Sequence, residues 1–287
     1  MMDRNGRAGC RIPHGSSAAK RKTLLVVVSH PRSGTHLTLD FVRRNFPAYN
    51  RRLPIWASAA DLATNLDSPS WRDASAEDWA RRLGDIAAGS EETHFLFKTH
   101  VRGFRPDDPI HALDRSGDIE LIFLYPFRRF SRTMKSYAEF CCHTDSVSEF
   151  LRMRDRSFGT DMSVADAARQ HARVWLERGA VFLDVERLVA DPSAAARELS
   201  SRIHATPGQL IRRLPRRKRL RGKASEAYER LTGRESTEVR IFHKLHWNSA
   251  GERASVDAQF QDVYAELSQR ALPPAHAISP RRTGTGE

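Results

Sequence analysis

Residues Leu24-Leu25-Val26-Val27-Val28-Ser29-His30-Pro31-Arg32-Ser33-Gly34-Thr35-His36 decide the reading of this chain. A continuous aliphatic run without polar alternation is the pattern of a strand buried on both faces of a parallel sheet. The run stops before a proline, and a short polar loop with one glycine follows. Leu37, Leu39, Phe41, Val42 and Phe46 then read as an amphipathic helix that ends before Pro47. Strand, tight loop and helix start, in that order, build an anion site. Loop N–H groups and the helix N-terminus converge on one point, and both favour negative charge. Arg32, Ser33 and Thr35 add side-chain donors, and Gly34 allows close backbone approach. The expected ligand is a phosphate or a sulfate group.

The loop is not a Walker A motif, which needs G-x-x-x-x-G-K-[ST]. Ser29 stands at the first glycine position and Thr35 at the lysine position. A kinase or nucleotide hydrolase would lack the lysine that reaches the outer phosphates.

Further strands are expected over residues 93–99, 119–127 and 181–185. Helices are expected over residues 76–88, 130–140, 164–177 and 256–267. Asp191 and Pro192 read as the N-cap and first turn of another helix. Pro126 suggests that its strand ends early or lies near a sheet edge. Residues 47–75 read as irregular. Phe95, Phe97 and Phe123 read as core, and Trp56, Trp71 and Trp79 as packing of the irregular region or the lining of an acceptor pocket, packing being favoured. Strands alternating with helices predict an α/β fold, a parallel β-sheet with helices on both faces. Ligands in such sheets sit at the carboxyl ends of the strands. Lys98, Thr99, His100 and Arg128 follow strand ends, so they are expected beside the anion loop.

Four segments together resemble the sulfotransferases that use 3′-phosphoadenosine 5′-phosphosulfate (PAPS). They are Pro31 to Thr35; Lys98-Thr99-His100; Arg128 with Ser136 eight residues on; and Trp175 followed by Glu186, Leu188, Asp191 and Pro192. The resemblance covers about residues 23 to 205. It implies a P-loop-like sulfotransferase fold and sulfuryl transfer by in-line displacement, with no metal required. Ser33, Gly34, Thr35 and His36 would line the 5′-phosphosulfate, with Arg32 at the leaving-group oxygen. Lys98 would neutralise the transferring group, and His100 would be the general base. Arg128 and Ser136 would hold the 3′-phosphate, with Phe140 at a position that is often aromatic. The family's glycine-bearing basic motif near the C-terminus is absent. Lys244 and Trp247 stand where its remnants would be, and Arg212 to Lys223 is a second basic candidate. Leu37 replaces a tryptophan frequent in the family, Val185 a tyrosine and Arg187 an acid.

A chain of 287 residues suits one domain, expected over residues 23–275, with a flexible basic arm over 1–22 and a disordered tail over 276–287. The longest apolar run, Leu24 to Val28, is too short to span a bilayer. Three cysteines without metal-ligand spacing predict a reduced, cytoplasmic setting. Alanine and arginine content suggests a GC-rich bacterial genome. The net charge of +12 fits either capture of a polyanionic cofactor or simply a basic, arginine-rich surface. It also admits nucleic acid, with Arg212 to Lys223 as the footprint, but aromatics at 8% show no interleaving for base stacking. The expected acceptor is a small molecule or carbohydrate offering a hydroxyl, less readily an amine. The rival readings are a P-loop-like kinase and a basic nucleic-acid-associated protein with a decayed cofactor site.

Overall fold

The computed structural model describes residues 22–49, 64–67, 74–88, 92–100, 119–141, 144, 146–155, 161–208, 247 and 249–272. Expectations placed on residues 1–21, on Trp56 and Trp71, on Arg212 to Lys223, on Lys244 and on residues 276–287 lie outside this set.

A six-stranded sheet organises these residues in the order β2-β3-β1-β4-β5-β6. Its strands are β1 (Lys22–Val28), β2 (Thr64–Asn65), β3 (His94–Thr99), β4 (Ile119–Phe127), β5 (Val181–Asp184) and β6 (Ala271–Leu272). Every neighbouring pair is parallel. The aliphatic run is β1, held in the middle with Leu25 opposite both Leu96 and Ile122.

Period-two alternation splits the strand residues between two cores. Leu24, Val26, Val28, Phe95, Phe97, Tyr125 and Phe127 face one core; Leu25, Val27, Ile122, Leu124 and Leu183 face the other. Helix α1 (Thr35–Asn45), a 3-10 turn (Pro47–Tyr49), α6 (Val185–Ala190) and α7 (Pro192–Arg202) cover the second core. The first core is covered by α2 (Ala76–Ala88), α3 (Phe130–Cys141), α4 (Val147–Arg152), α5 (Val164–Glu177), α8 (Ala250–Gln259) and α9 (Gln261–Arg270). Helices therefore flank both faces, as the alternating pattern predicts. Trp79, Phe95 and Phe97 are buried in the core, and Phe123 packs against Trp175 with ring centroids 5.0 Å apart. Each such side chain contributes about 1.5–3 kcal/mol by burial.

Side-chain caps fix where the helices begin. Asp191 Oδ1 accepts from Ala194 N at 2.9 Å, with Pro192 in the first turn of α7. Asp184 caps α6 directly at the end of β5, accepting from Glu186 N and Arg187 N. Leu183 and Asp184 thus end a strand one residue earlier than expected, because the carboxylate turns the chain into a helix.

Three expectations are corrected. Pro126 does not end β4 or place it at an edge: β4 lies between β1 and β5, and Pro126 pairs with Leu183. Its strand has outrun β1, whose last pair with β4 is Val27 with Leu124. The missing N–H therefore takes nothing from the β1 ladder. The single late helix over 256–267 is two helices that meet at Phe260. That ring stacks flat on Phe130 at 4.4 Å, and the chain bends to seat it. The stretch 47–75 includes β2, which pairs with β3.

No helix among the described residues is long and apolar enough to cross a membrane.

Candidate active site

The sheet delivers three strand ends to one edge. Ser29 N donates to Thr99 O at 3.2 Å, one step past the last β1–β3 pair. The loop then turns sharply: Arg32 has φ of 69° and Gly34 φ of 123°. Both values lie in the region that favours glycine. At Gly34 the requirement is doubled. A Cβ there would stand 2.7 Å from Val185 Cγ2. Val185 therefore closes the underside of the loop.

No side chain caps α1. The donors of its first turn therefore keep their preference for an anion. Ser33 is 3% exposed, and its Oγ has no partner among the described residues. A buried hydroxyl in that state costs free energy unless a ligand engages it. His36 lies exposed in the first turn of α1. His30 points the opposite way, into the core. Its ring meets Tyr137 edge-on at 5.2 Å, and burial pushes its pKa down to about 4.

Beside the loop, His100 is held by contacts from the exits of β1 and β2. Its Nδ1 lies 2.7 Å from the Ser29 carbonyl oxygen. A carbonyl can only accept, so Nδ1 carries the proton and the neutral ring keeps its lone pair on Nε2. Ser29 Oγ is 3.3 Å from the same nitrogen and 2.6 Å from Thr35 Oγ1. A chain of hydroxyls thus links the histidine to the first residue of α1. Burial lowers the His100 pKa, Asp67 and the Ser29 bond oppose that shift, and Lys98 adds to it. Lys98 is 8% exposed and stands in register between Val27 and Asn65.

The third strand end carries the arginines. Arg32 Nε donates to Ser136 Oγ at 3.2 Å, and its guanidinium lies over Phe140, 5.3 Å from the ring centre. Arg128 Nη2 donates to Arg132 O at 3.2 Å, while its Nε is buried with no partner among the described residues. Burial, then Arg32 and Arg132, disfavour the charge on Arg128, and Glu186 and Glu139 partly offset this. Glu186 itself bridges Arg132 at 2.9 Å and Arg129 at 3.7 Å.

The structure therefore brings Arg32, Ser33, Gly34 and Thr35 into one loop, sets His100 against it, and gathers Arg128, Ser136 and Phe140 around Arg32. Lys244 lies outside the described residues. Sequence reasoning missed Asp67, Ser29 and His30. Ser29 and His30 sit at a strand end, which is a signal. Asp67 lies in a stretch read as irregular and carries none. The arrangement offers an imidazole whose Nε2 has no partner among the described residues, next to a basic, donor-rich anion cradle.

No family model matches the chain, and no curated protein matches it. Among solved structures, mouse sulfotransferase SULT7A1 complexed with PAP is similar over 88% of this chain and 86% of its own, at 12% identity and a TM-score of 0.46. Retinol dehydratase in a complex with retinol and PAP is similar over 89% of this chain and 83% of its own, at 14% identity and a TM-score of 0.39.

Proposed function

We propose that the chain is a PAPS-dependent sulfotransferase acting on a hydroxyl of a small-molecule or carbohydrate acceptor. One observation carries the reading. His100 is locked with Nδ1 on the Ser29 carbonyl, leaving Nε2 as a base nitrogen at the edge where the anion loop and the Arg128–Ser136 corner meet.

The donor set fits a bisphosphate. Ser33 Oγ and Arg128 Nε are buried polar atoms without partners among the described residues, one at each end of the basic edge. Ser33, Gly34, Thr35 and His36 line the 5′ end; Arg128 and Ser136 hold the 3′-phosphate. PAPS, when bound, supplies the sulfuryl group and a bisphosphate leaving group. His100 Nε2 takes the proton from the acceptor hydroxyl. Arg32, with its fixed fork of donors, and Lys98 counter the charge that builds during transfer. A cytoplasmic, bacterial setting belongs to the same proposal.

The test is a thermal shift with 3′,5′-adenosine diphosphate (PAP), against 5′-AMP and ATP. Saturation at 100 times Kd stabilises the fold by about 2.7 kcal/mol. For a chain of this size that is a rise of about 5–10 °C. Selective stabilisation by PAP supports the reading. Stronger stabilisation by ATP replaces it with the kinase reading, and no response to any nucleotide removes it.

A further inference from the structure

We infer that Asp67 is the positioning residue for His100, clamping the end of β3 so that the imidazole meets Ser29 through Nδ1 and keeps Nε2 open. The functional meaning rests on the proposed sulfuryl transfer; the geometry does not.

Asp67 is itself placed firmly. Asn65 Oδ1 accepts from Asp67 N at 3.1 Å, bending the chain just after β2. Leu66 between them is fully buried, and its N–H donates to Lys98 O at 3.0 Å. The turn is therefore pinned to β3 before the carboxylate is reached. Asp67 Oδ1 then accepts from Thr99 Oγ1 at 2.9 Å, and its two oxygens lie 2.9 and 3.0 Å from His100 N. Two consecutive residues of β3 and its exit are gripped by one side chain.

A single amide or hydroxyl oxygen would satisfy the His100 N–H. A carboxylate adds charge. Among the described residues, the charged and titratable groups acting on His100 are Asp67 from the turn after β2, Lys98 from β3 and His30 from the loop after β1. Of these Asp67 alone is negative. Proton uptake by His100 makes a cation beside Lys98, and Asp67 is the counter-charge for that moment. This is the division of labour between a base and the carboxylate that orients it, with contact through the backbone N–H instead of the ring.

The experiment compares wild type, Asp67→Ala and Asp67→Asn by 15N NMR of the histidine rings, PAP affinity, and the pH profile of turnover. His100→Ala assigns the signal. In wild type His100 should show the tautomer with the proton on Nδ1. Asp67→Ala should give mixed tautomers and lose about 100-fold in turnover, the cost of a small misplacement, with PAP affinity within twofold. Asp67→Asn has acceptor and size but no charge, so it should restore the tautomer while moving the His100 titration and the acid limb of the profile to lower pH. An unchanged His100 tautomer and titration in both variants would overturn the inference. The NMR readout does not need turnover. A chain that proves to transfer no sulfuryl group still answers whether Asp67 positions His100, so the two failures are distinguishable.

Discussion

The two ends of the site are built on opposite plans. At the His100 end, contacts from two neighbouring segments hold one residue: Ser29 on its Nδ1 and Asp67 on its backbone N–H. At the Arg128 end, burial and then the neighbouring Arg32 and Arg132 disfavour the charge on Arg128. Glu186 binds Arg132 and Arg129 instead of Arg128. At the first end the contacts that hold His100 are already made. The second is electrostatically loaded and gains most from an arriving anion. In the proposed transfer, this is the difference between a group oriented before reaction and one that binds strongly when a ligand comes.

The largest expected effect breaks the first end. His100→Ala should lower turnover by about 10²–10⁴-fold, the range for a positioned base, with PAP affinity within twofold. Steady-state kinetics paired with calorimetry check this, and near-normal turnover would remove His100 from the mechanism. Next comes the joint between the ends. Gly34→Ala forces a side chain into a positive φ and against Val185. The strain and the overpacking together should cost about 2–6 kcal/mol and abolish PAP binding. Adding Val185→Ala should recover only the steric part, read from urea melts.

A third effect lies behind the loop. His30 has a pKa of about 4 in the fold against 6.5 unfolded. The unfolded chain therefore binds a proton that the fold refuses. Stability is full above pH 6.5 and falls as pH drops towards 4, by up to about 3 kcal/mol. His30→Phe should flatten that acid loss; an identical pH dependence in both proteins contradicts the assignment. The smallest effect sharpens the second end. Arg128→Ala should weaken PAP by about 10–100-fold, the worth of a charged hydrogen bond, and leave 5′-AMP unchanged. Equal loss for both ligands would show that Arg128 does not read the 3′-phosphate.

Much of this was legible in the residues because strands of a parallel sheet advertise themselves as apolar runs, and the chemistry follows their ends. Leu24 to Val28 placed the loop, and Lys98 to His100 and Arg128 fell on the same edge. What escaped depends on tertiary pairing. β2 is two residues long, too short for any periodicity, yet it carries Asp67 to His100. Pro126 read as an edge signal, whereas the strand simply extends beyond its neighbour. Phe260 stands between two helices where the local sequence reads as one, and it stacks there on Phe130, a tertiary pairing that local periodicity does not show. The pairing of Nδ1 with the Ser29 carbonyl, which fixes the tautomer, is a contact across 71 residues that no local pattern encodes.

The central claim is that one edge of the sheet reads a nucleotide carrying phosphates at both ends, with His100 at the reacting end. A crystal structure of the chain with PAP tests it most directly. The account predicts the 5′-phosphate on the Gly34 and Thr35 N–H groups, the 3′-phosphate on Arg128 and Ser136, and His100 Nε2 facing the space beyond the 5′-phosphate. PAP bound elsewhere, or bound with its 3′-phosphate away from Arg128, would contradict it.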